Sequence, residues 1–359
     1  MDLRDVSVIM PTFKRPVYAL RNMRMLDQTG ARVHVLDGSP TPIDPAKLAD
    51  LSPRINYLHR PVSYEERMAL SLQLVDTPFC VSVSDDDMHL PSGLAASVEA
   101  LRADPALAAV TGTALEIFRR DGKAYGRLKY GGLLGRVIGD DDPVERMIDH
   151  LADYLPSSVY AVTRTAVWVR AMGTLTGKRF LPIRLGELQY EMTVAYQGKI
   201  KVVPHLMWLR SSENPPHWAS DDVPLAPWWE HAAESGERQE FATYMGRALT
   251  DDVLKQAEAA RGVLTAMDAY IEALKALTAV RDSLTAAERL ERWRADPVLP
   301  LAELGRRVAE QGVAVNEQEL AAAIAAVEST LADDTPAETP SAAPVGRRRW
   351  VKPWARARR

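Results

Sequence analysis

Three consecutive carboxylates, Asp85, Asp86 and Asp87, close the apolar run "VSVSDDDMHLP" at residues 81 to 91. Charges of one sign this close repel unless something positive joins them, and a hard divalent cation, Mg2+ or Mn2+, is the partner their oxygens suit. Mg2+ commonly takes one or two carboxylates and fills its other positions with water and substrate phosphates. The chemistry this suggests is the holding of a diphosphate as a leaving group, its developing charge neutralised as it departs. A solvated acidic turn or a helix cap is the other reading of the same residues. A second triplet, Asp140 to Asp142 in "IGDDDPVER", follows a glycine and precedes Pro143. There Asp142 is placed to cap a helix, and its neighbours favour the positive end of the helix dipole.

The first triplet owes its position to the elements before it. "VSVIM" reads as a strand, "RPVYALRNMRMLDQTG" as a helix closed by Gly30, and "RVHVLDGS" as a strand ending in a turn. "SYEERMALSLQLV" is helical, "FCVSVS" a strand, and "LPSGLAASVEALRADP" a helix with Pro91 near its start. This βαβαβα order implies an α/β, Rossmann-like, mostly parallel sheet with helices on both faces. Ligands of such sheets collect outside the carboxyl ends of the strands, so the turns "PTFKRP", "LDGS" and "SDDD" converge on one edge.

Beyond this the pattern loosens. "RRDGKAYGRLKYGGLLGRVIG" suggests a hairpin or mobile loop, "SSVYAVT" a strand, "LGELQYEMTVAYQG" a helix and "KIKVVPHLMWLR" a strand. From residue 253 the apolar positions Val253, Ala257, Ala260, Leu264, Met267, Ile271 and Leu274 step by four and three, the spacing of one helix face. That face suits packing on the main domain, with a homodimer seam as the second reading. The expected organisation is a catalytic α/β domain over 1–235, a C-terminal helical appendage over 236–335, and a Pro/Ala-rich linker with a basic tail over 336–359.

With 359 residues, 47% hydrophobic and 26% charged, the chain has the composition of a globular protein with a sizeable core rather than a disordered one. No apolar run approaches the roughly 18 residues that span a bilayer. A single cysteine, Cys80, excludes an internal disulfide, so a cytoplasmic location is expected. The net charge of −4 conceals a segregation: residues 345 to 359 hold six arginines, Lys352, Trp350 and Trp354 and no acid, against about −11 for the remainder. Such a tail suits peripheral contact with an anionic membrane surface. A solubilising tail is the other reading, and no specific nucleic-acid partner is expected.

Taken together, "VSVIMPTFKRP", "VHVLDGS", the arginine of "YEERMAL" and "FCVSVSDDDMHLP" resemble the amino-terminal half of GT-A fold glycosyltransferases, most closely the family 2-like enzymes. The resemblance runs over about residues 5 to 215. It implies transfer of a sugar from a nucleotide-diphosphate sugar, a UDP-sugar favoured, to a hydroxyl of a glycan or lipid-linked acceptor, with inversion, in bacterial-type glycan or glycoconjugate synthesis. On that resemblance Pro11, Thr12, Phe13 and Arg15 border the nucleoside, Asp37 faces the base, Arg67 lies near the diphosphate, and Asp85 and Asp86 complete the donor site. Asp86, Asp87 and His217 would hold the Mg2+ or Mn2+. "LGELQYEMTVAYQGKIKVVP" resembles the family's catalytic helix, making Glu187 the expected base and Glu191, one turn later, the second candidate. Trp218, Trp228 and Trp229 form a candidate acceptor lid; the alternative is that they staple the helical appendage to the domain. Leu36, Ser84 and Leu188 depart from the family pattern and leave open a noncatalytic nucleotide-sugar-binding or scaffold protein on the same fold.

Overall fold

The computed structural model describes residues 3–180, 182, 184–214, 224–285, 287–288, 291 and 298–330, with the side chains of 233–235 left aside. His217, Trp218 and the basic tail lie outside the described residues. Strand β1 (Val6–Thr12) is flanked in parallel by β2 (Arg32–Asp37) and β4 (Phe79–Ser82), and β3 (Ile55–His59) continues the sheet beyond β2. The crossovers are α1 (Pro16–Asp27), a short 3-10 turn before β3, and α2 (Tyr64–Leu74). The short β5 (Met88–His89), α3 (Pro91–Ala103) and β6 (Leu107–Arg120) follow. Pro16 and Pro91 stand at their helices' starts, where a missing N–H costs nothing. Ser63 and Glu66 form a reciprocal capping box on α2.

Period-two alternation divides the strands between two cores. Val6, Val8 and Met10 of β1, Val33 and Val35 of β2, and Phe79 and Val81 of β4 pack with Leu20, Met23, Leu94 and Leu101 of α1 and α3. Ile9, Leu36 and Cys80 point the other way. They meet Met68 of α2 and residues of α4 (Pro143–Ala152), α5 (Thr165–Gly177), α6 (Arg184–Gln197), α8 (Glu237–Leu249) and α9 (Val253–Ser283), the helix α7 (Leu225–Ser235) lying beside them. Cys80 is a buried thiol.

The Gly-rich basic segment forms a hairpin. β6 pairs antiparallel with β7 (Lys123–Lys129) across a turn at Asp121 and Gly122, whose positive φ angles suit this two-residue connection. Asp142 caps α4, accepting from the N–H groups of Val144 and Glu145. After β8 (Val137–Ile138), the expected strand "SSVYAVT" is ordered as a strand only over β9, Val162–Arg164. Ser158 and Val159 instead give their N–H groups to the Glu191 carboxylate, which takes them out of any ladder. β10 (Lys199–Ser211) runs parallel to β6 and closes the sheet behind the site.

The C-terminal region meets the sheet in two places. α8 and α9 cover the core face containing Ile9 and Leu36. β11 (Leu299–Pro300) adds antiparallel to β7, and α10 (Leu301–Glu310) and α11 (Glu317–Ser329) bury Leu301, Leu304, Val308, Leu320 and Val327 against Leu115, Ile117 and Leu209. The expected apolar stripe of α9 is corrected at its start, where Val253 is 74% exposed and Ala257 is exposed; further along, Met267 and Ile271 are buried, Ala260 and Leu264 pack on the core, and Ala259, Gly262, Val263 and Ala266 are buried beside them. A Cβ at Gly262 would meet Val144 Cγ1 at 2.6 Å, so α4 and α9 touch where α9 has least bulk. Among the described residues no helix is long and apolar enough to cross a membrane. Gly262→Val is expected to destabilise the protein by about 1–3 kcal/mol through overpacking, whereas Val253→Ala should stay within about 0.5 kcal/mol; urea unfolding of both variants measures the contrast.

Candidate active site

The acidic triplet sits at the carboxyl edge of the sheet, beyond β4, and all three residues are buried. Their repulsion is answered by protein donors. Thr12 Oγ1 donates to Asp85 Oδ2 at 2.8 Å, and Arg15 bridges Asp85 Oδ1 at 3.3 Å and Asp86 Oδ2 at 2.9 Å. Asn214 also donates to Asp86 Oδ2, at 3.1 Å. Asp87 receives the Trp208 indole N–H on Oδ2 at 2.9 Å and the Ser211 backbone N–H on Oδ1 at 2.8 Å. The backbone of the turn is gripped from α1: Asn22 donates to the carbonyls of Ser84, Asp85 and Asp87, and Arg21 donates to the carbonyl of Asp86 at 2.7 Å.

Burial and the neighbouring Asp86 push the pKa of Asp85 up to about 6, against the downward pull of Arg15 and Thr12. Burial and Asp86 raise Asp87 as well. The charge is therefore only partly compensated by the protein itself. Among the described residues no group of three or more His, Cys, Asp and Glu side chains is arranged to hold a metal ion. The donor chemistry fits a sparser site. Both oxygens of Asp85 and both of Asp87 already accept hydrogen bonds, whereas Asp86 Oδ1 takes none from the described residues. That leaves one carboxylate to share with phosphate oxygens, a coordination Mg2+ accepts.

Asp37, at the end of β2, is almost wholly buried. Its carboxylate accepts from the Ser39 N–H at 2.8 Å and from the Tyr57 hydroxyl at 2.5 Å, so it shapes the turn. Arg67 is buried too, donating to the carbonyls of Thr12 at 2.8 Å and Leu36 at 2.6 Å and thereby tying β1 to β2. Its guanidinium lies so close to Gly38 that a Cβ there would come within 2.5 Å of it. Phe13, 37% exposed, and half-buried Pro11 are the open members of this edge.

The two base candidates separate. Glu191 is fully buried; His150 Nε2 lies 2.7 Å from its Oε2, and the N–H groups of Ser158 and Val159 reach it at 3.1 Å. Both its oxygens serve to fix the 157–159 segment, away from any incoming hydroxyl. Glu187, on the first turn of α6, is open to solvent and accepts a hydrogen bond from Tyr154. The crowding of surrounding protein and the charge of Glu191 raise its pKa, and the Tyr154 hydrogen bond opposes them.

Residues that sequence reasoning overlooked link the two carboxylate centres. Arg210 loses proton affinity through burial, but Tyr130, Asp87, Tyr160 and Glu116 outweigh this and hold its pKa above the usual value. Glu187 feels Arg210 in turn, and the Tyr160 hydroxyl feels both Asp87 and Glu187. Tyr160 stacks on Trp208 with centroids 4.2 Å apart, and Tyr130 stacks on the same indole at 5.7 Å. The one available signal was polar residues inside an apolar pattern: Arg21 and Asn22 in the buried stripe of α1, and Arg210 at the end of β10.

The tryptophans divide as well. Trp229 is buried, donates to Asp268 at 2.7 Å and lies under the Arg238 guanidinium. Trp228 is half-buried against the same helical core. Both staple helices and neither forms a lid.

The architecture matches solved structures. S. aureus TarS 1-349 in complex with UDP-GlcNAc aligns over 90% of this chain and 88% of that chain, with TM-score 0.50 and 12% identity. The chain has the GT-A fold. TarS 1-349 without a named ligand and in complex with UDP aligns over 78% of this chain and 92% of that chain, each at 13% identity, with TM-scores of 0.42 and 0.41. No protein-family model matches the sequence, and no curated protein matches it.

Glu191→Leu would leave His150 and two backbone N–H groups buried without partners. It should destabilise the protein by at least about 2 kcal/mol, since each such group costs roughly 1–3 kcal/mol. Thermal unfolding monitored by circular dichroism measures the loss.

Proposed function

We propose that the protein is a glycosyltransferase moving a sugar from a nucleotide-diphosphate sugar, a UDP-sugar foremost, to an acceptor hydroxyl with inversion. The observation that carries this reading is the buried triplet Asp85 to Asp87 at the carboxyl edge of a GT-A sheet, where Asp86 Oδ1 takes no hydrogen bond from the described residues. The solvent-open Glu187 carboxylate supplies a base of the kind such a transfer needs. The UDP-GlcNAc bound to the structurally similar TarS supports the choice of donor.

An acceptor hydroxyl is about as weak an acid as water, pKa 15.7, and needs a base within hydrogen-bond reach as it attacks. Glu187 would take that proton while the acceptor oxygen bonds to the anomeric carbon. The bond from that carbon to the phosphate oxygen breaks in the same step, and its electron pair leaves with the nucleoside diphosphate. Arg15 and Arg210 supply positive charge on the departing side. Phe13 and Pro11 border the nucleoside, with Asp37 and Arg67 shaping the edge beneath them. A divalent cation held by Asp86 would add neutralisation of the diphosphate charge. The acceptor is a glycan or glycoconjugate.

Glu187→Gln should lower turnover at least about 100-fold, the usual contribution of a general base, while calorimetry with UDP and Mn2+ shows unchanged affinity. Unchanged turnover removes Glu187 from the role, and no UDP binding by the parent chain removes the reading itself. The raised pKa of Glu187 also sets a pH dependence. The base works deprotonated, so kcat/KM should rise with pH through a value above the ordinary 4.5 of a glutamate. Tyr154→Phe removes a hydrogen bond that favours the carboxylate, so it should move that limb to higher pH.

A further inference from the structure

Expected acceptor contacts at Trp228 and Trp229 are spent on the helical core, yet two other aromatic rings stand beside the proposed base. Tyr154, following α4, donates its hydroxyl hydrogen bond to Glu187. Tyr270, from the middle of α9, meets the Tyr154 ring edge-on, with centroids 5.4 Å apart and planes at 79°. Burial and then the charge of Glu187 raise the hydroxyl pKa of Tyr270, with Arg184 opposing, and the ring reaches that carboxylate through its contact with Tyr154. Both rings are half-buried, while Glu187 is open.

The notch is held rigidly from behind. The Tyr154 ring packs edge-on against His150 at 5.8 Å, and His150 is fixed by the buried Glu191 carboxylate, which also anchors Ser158 and Val159. Glu191 is thereby a positioning residue for Tyr154. Both rings pack partly buried on the rim of the helical core, outside its fully buried cluster.

We propose that Tyr154 and Tyr270 form the acceptor subsite, a right-angled aromatic notch that seats a saccharide ring with one hydroxyl directed at Glu187. The proposal rests on the glycosyltransferase reading and adds the residues that would seat the acceptor saccharide. A pyranose has an apolar C–H face that packs on an aromatic ring and an equatorial rim of hydroxyls that hydrogen-bond phenols and carboxylates. Two rings at right angles offer a face and an edge to such a body, and the carboxylate beside them is where the reacting hydroxyl must point. α9 would then be part of the substrate site, reaching it from 116 residues beyond Tyr154.

Saturation-transfer NMR on the full chain with UDP and Mn2+ tests this, using the methyl glycosides of glucose, galactose and N-acetylglucosamine as probes. Saturation is expected on the ring protons of at least one glycoside. Its binding should weaken about five- to twentyfold in Tyr270→Ala and Tyr270→Leu, the loss of one aromatic contact, and persist in Tyr270→Phe. The UDP affinity of these variants should match the parent's and each should keep a single cooperative melting transition above the assay temperature, so that misfolding is told from lost contact. No saturation of any glycoside by the parent chain, or parent-like binding by both Tyr270→Ala and Tyr270→Leu, overturns the subsite. UDP that fails to bind overturns the donor reading alone, because the glycoside signals are read separately.

Discussion

Three adjacent carboxylates cannot be buried at the edge of a sheet unless donors meet them, since an uncompensated buried charge costs several kcal/mol. This constraint organises the functional half of the molecule. It explains why α1 spends Arg21 and Asn22, in the middle of its buried stripe, on the carbonyls of the triplet. It explains why Arg15 stands at the helix entrance and why β10 delivers both an indole and a backbone N–H to Asp87. The compensation is incomplete: no described residue fills Asp86 Oδ1, and the pKa of Asp85 stays raised, at about 6. A site that still favours positive charge is one prepared for a ligand that brings some.

A second buried carboxylate does the opposite work. Glu191 has every oxygen occupied and no path to solvent, and what it organises is the backbone of Ser158 and Val159 together with His150. Through His150 its order extends to Tyr154 and from there to Glu187. Two glutamates one helical turn apart thus divide between scaffold and surface.

That division shows where the sequence is legible and where it stops. Strands β1, β2 and β4, helices α1 to α3, the capping of α4 by Asp142 and the placement of the triplet beyond β4 follow from local signals, namely alternation, capping residues and prolines. These are decided within a few residues of themselves, whereas β3 and the short β5 are not among the predicted elements. Glu187 and Glu191 look alike locally because their partners come from 32 to 41 residues earlier in the chain. Likewise no local feature of Asp87 announces Trp208, 121 residues away. On α9, apolar spacing finds Met267 and Ile271 but not Gly262, because the close approach of α4 selects a residue for its smallness and hydropathy does not weigh smallness. The tryptophans misled for a related reason: a large aromatic near a proline-rich segment suits a lid and a core equally, until Asp268 and Arg238 are seen to hold Trp229 in place.

The packing around Asp87 depends on β10, and on an irregularity in it. Its parallel register with β6 shifts between Val202 and Leu206 and again between Leu206 and Trp208. A strand with such shifts bends and re-aims the side chains that follow. Here the residues re-aimed are Trp208, Arg210 and Ser211, the ones that meet Asp87 and face Glu187. The bend brings the His205 carbonyl against Gly112 on β6, where a Cβ would stand 2.4 Å from that oxygen, so only glycine admits the approach. The bend is braced from outside as well: Leu206 donates its N–H to the Ala314 carbonyl, and Ala314 donates its own to the Pro204 carbonyl. The chain leading into α11 thus braces, from the outer edge, the strand whose Trp208 and Ser211 hold Asp87.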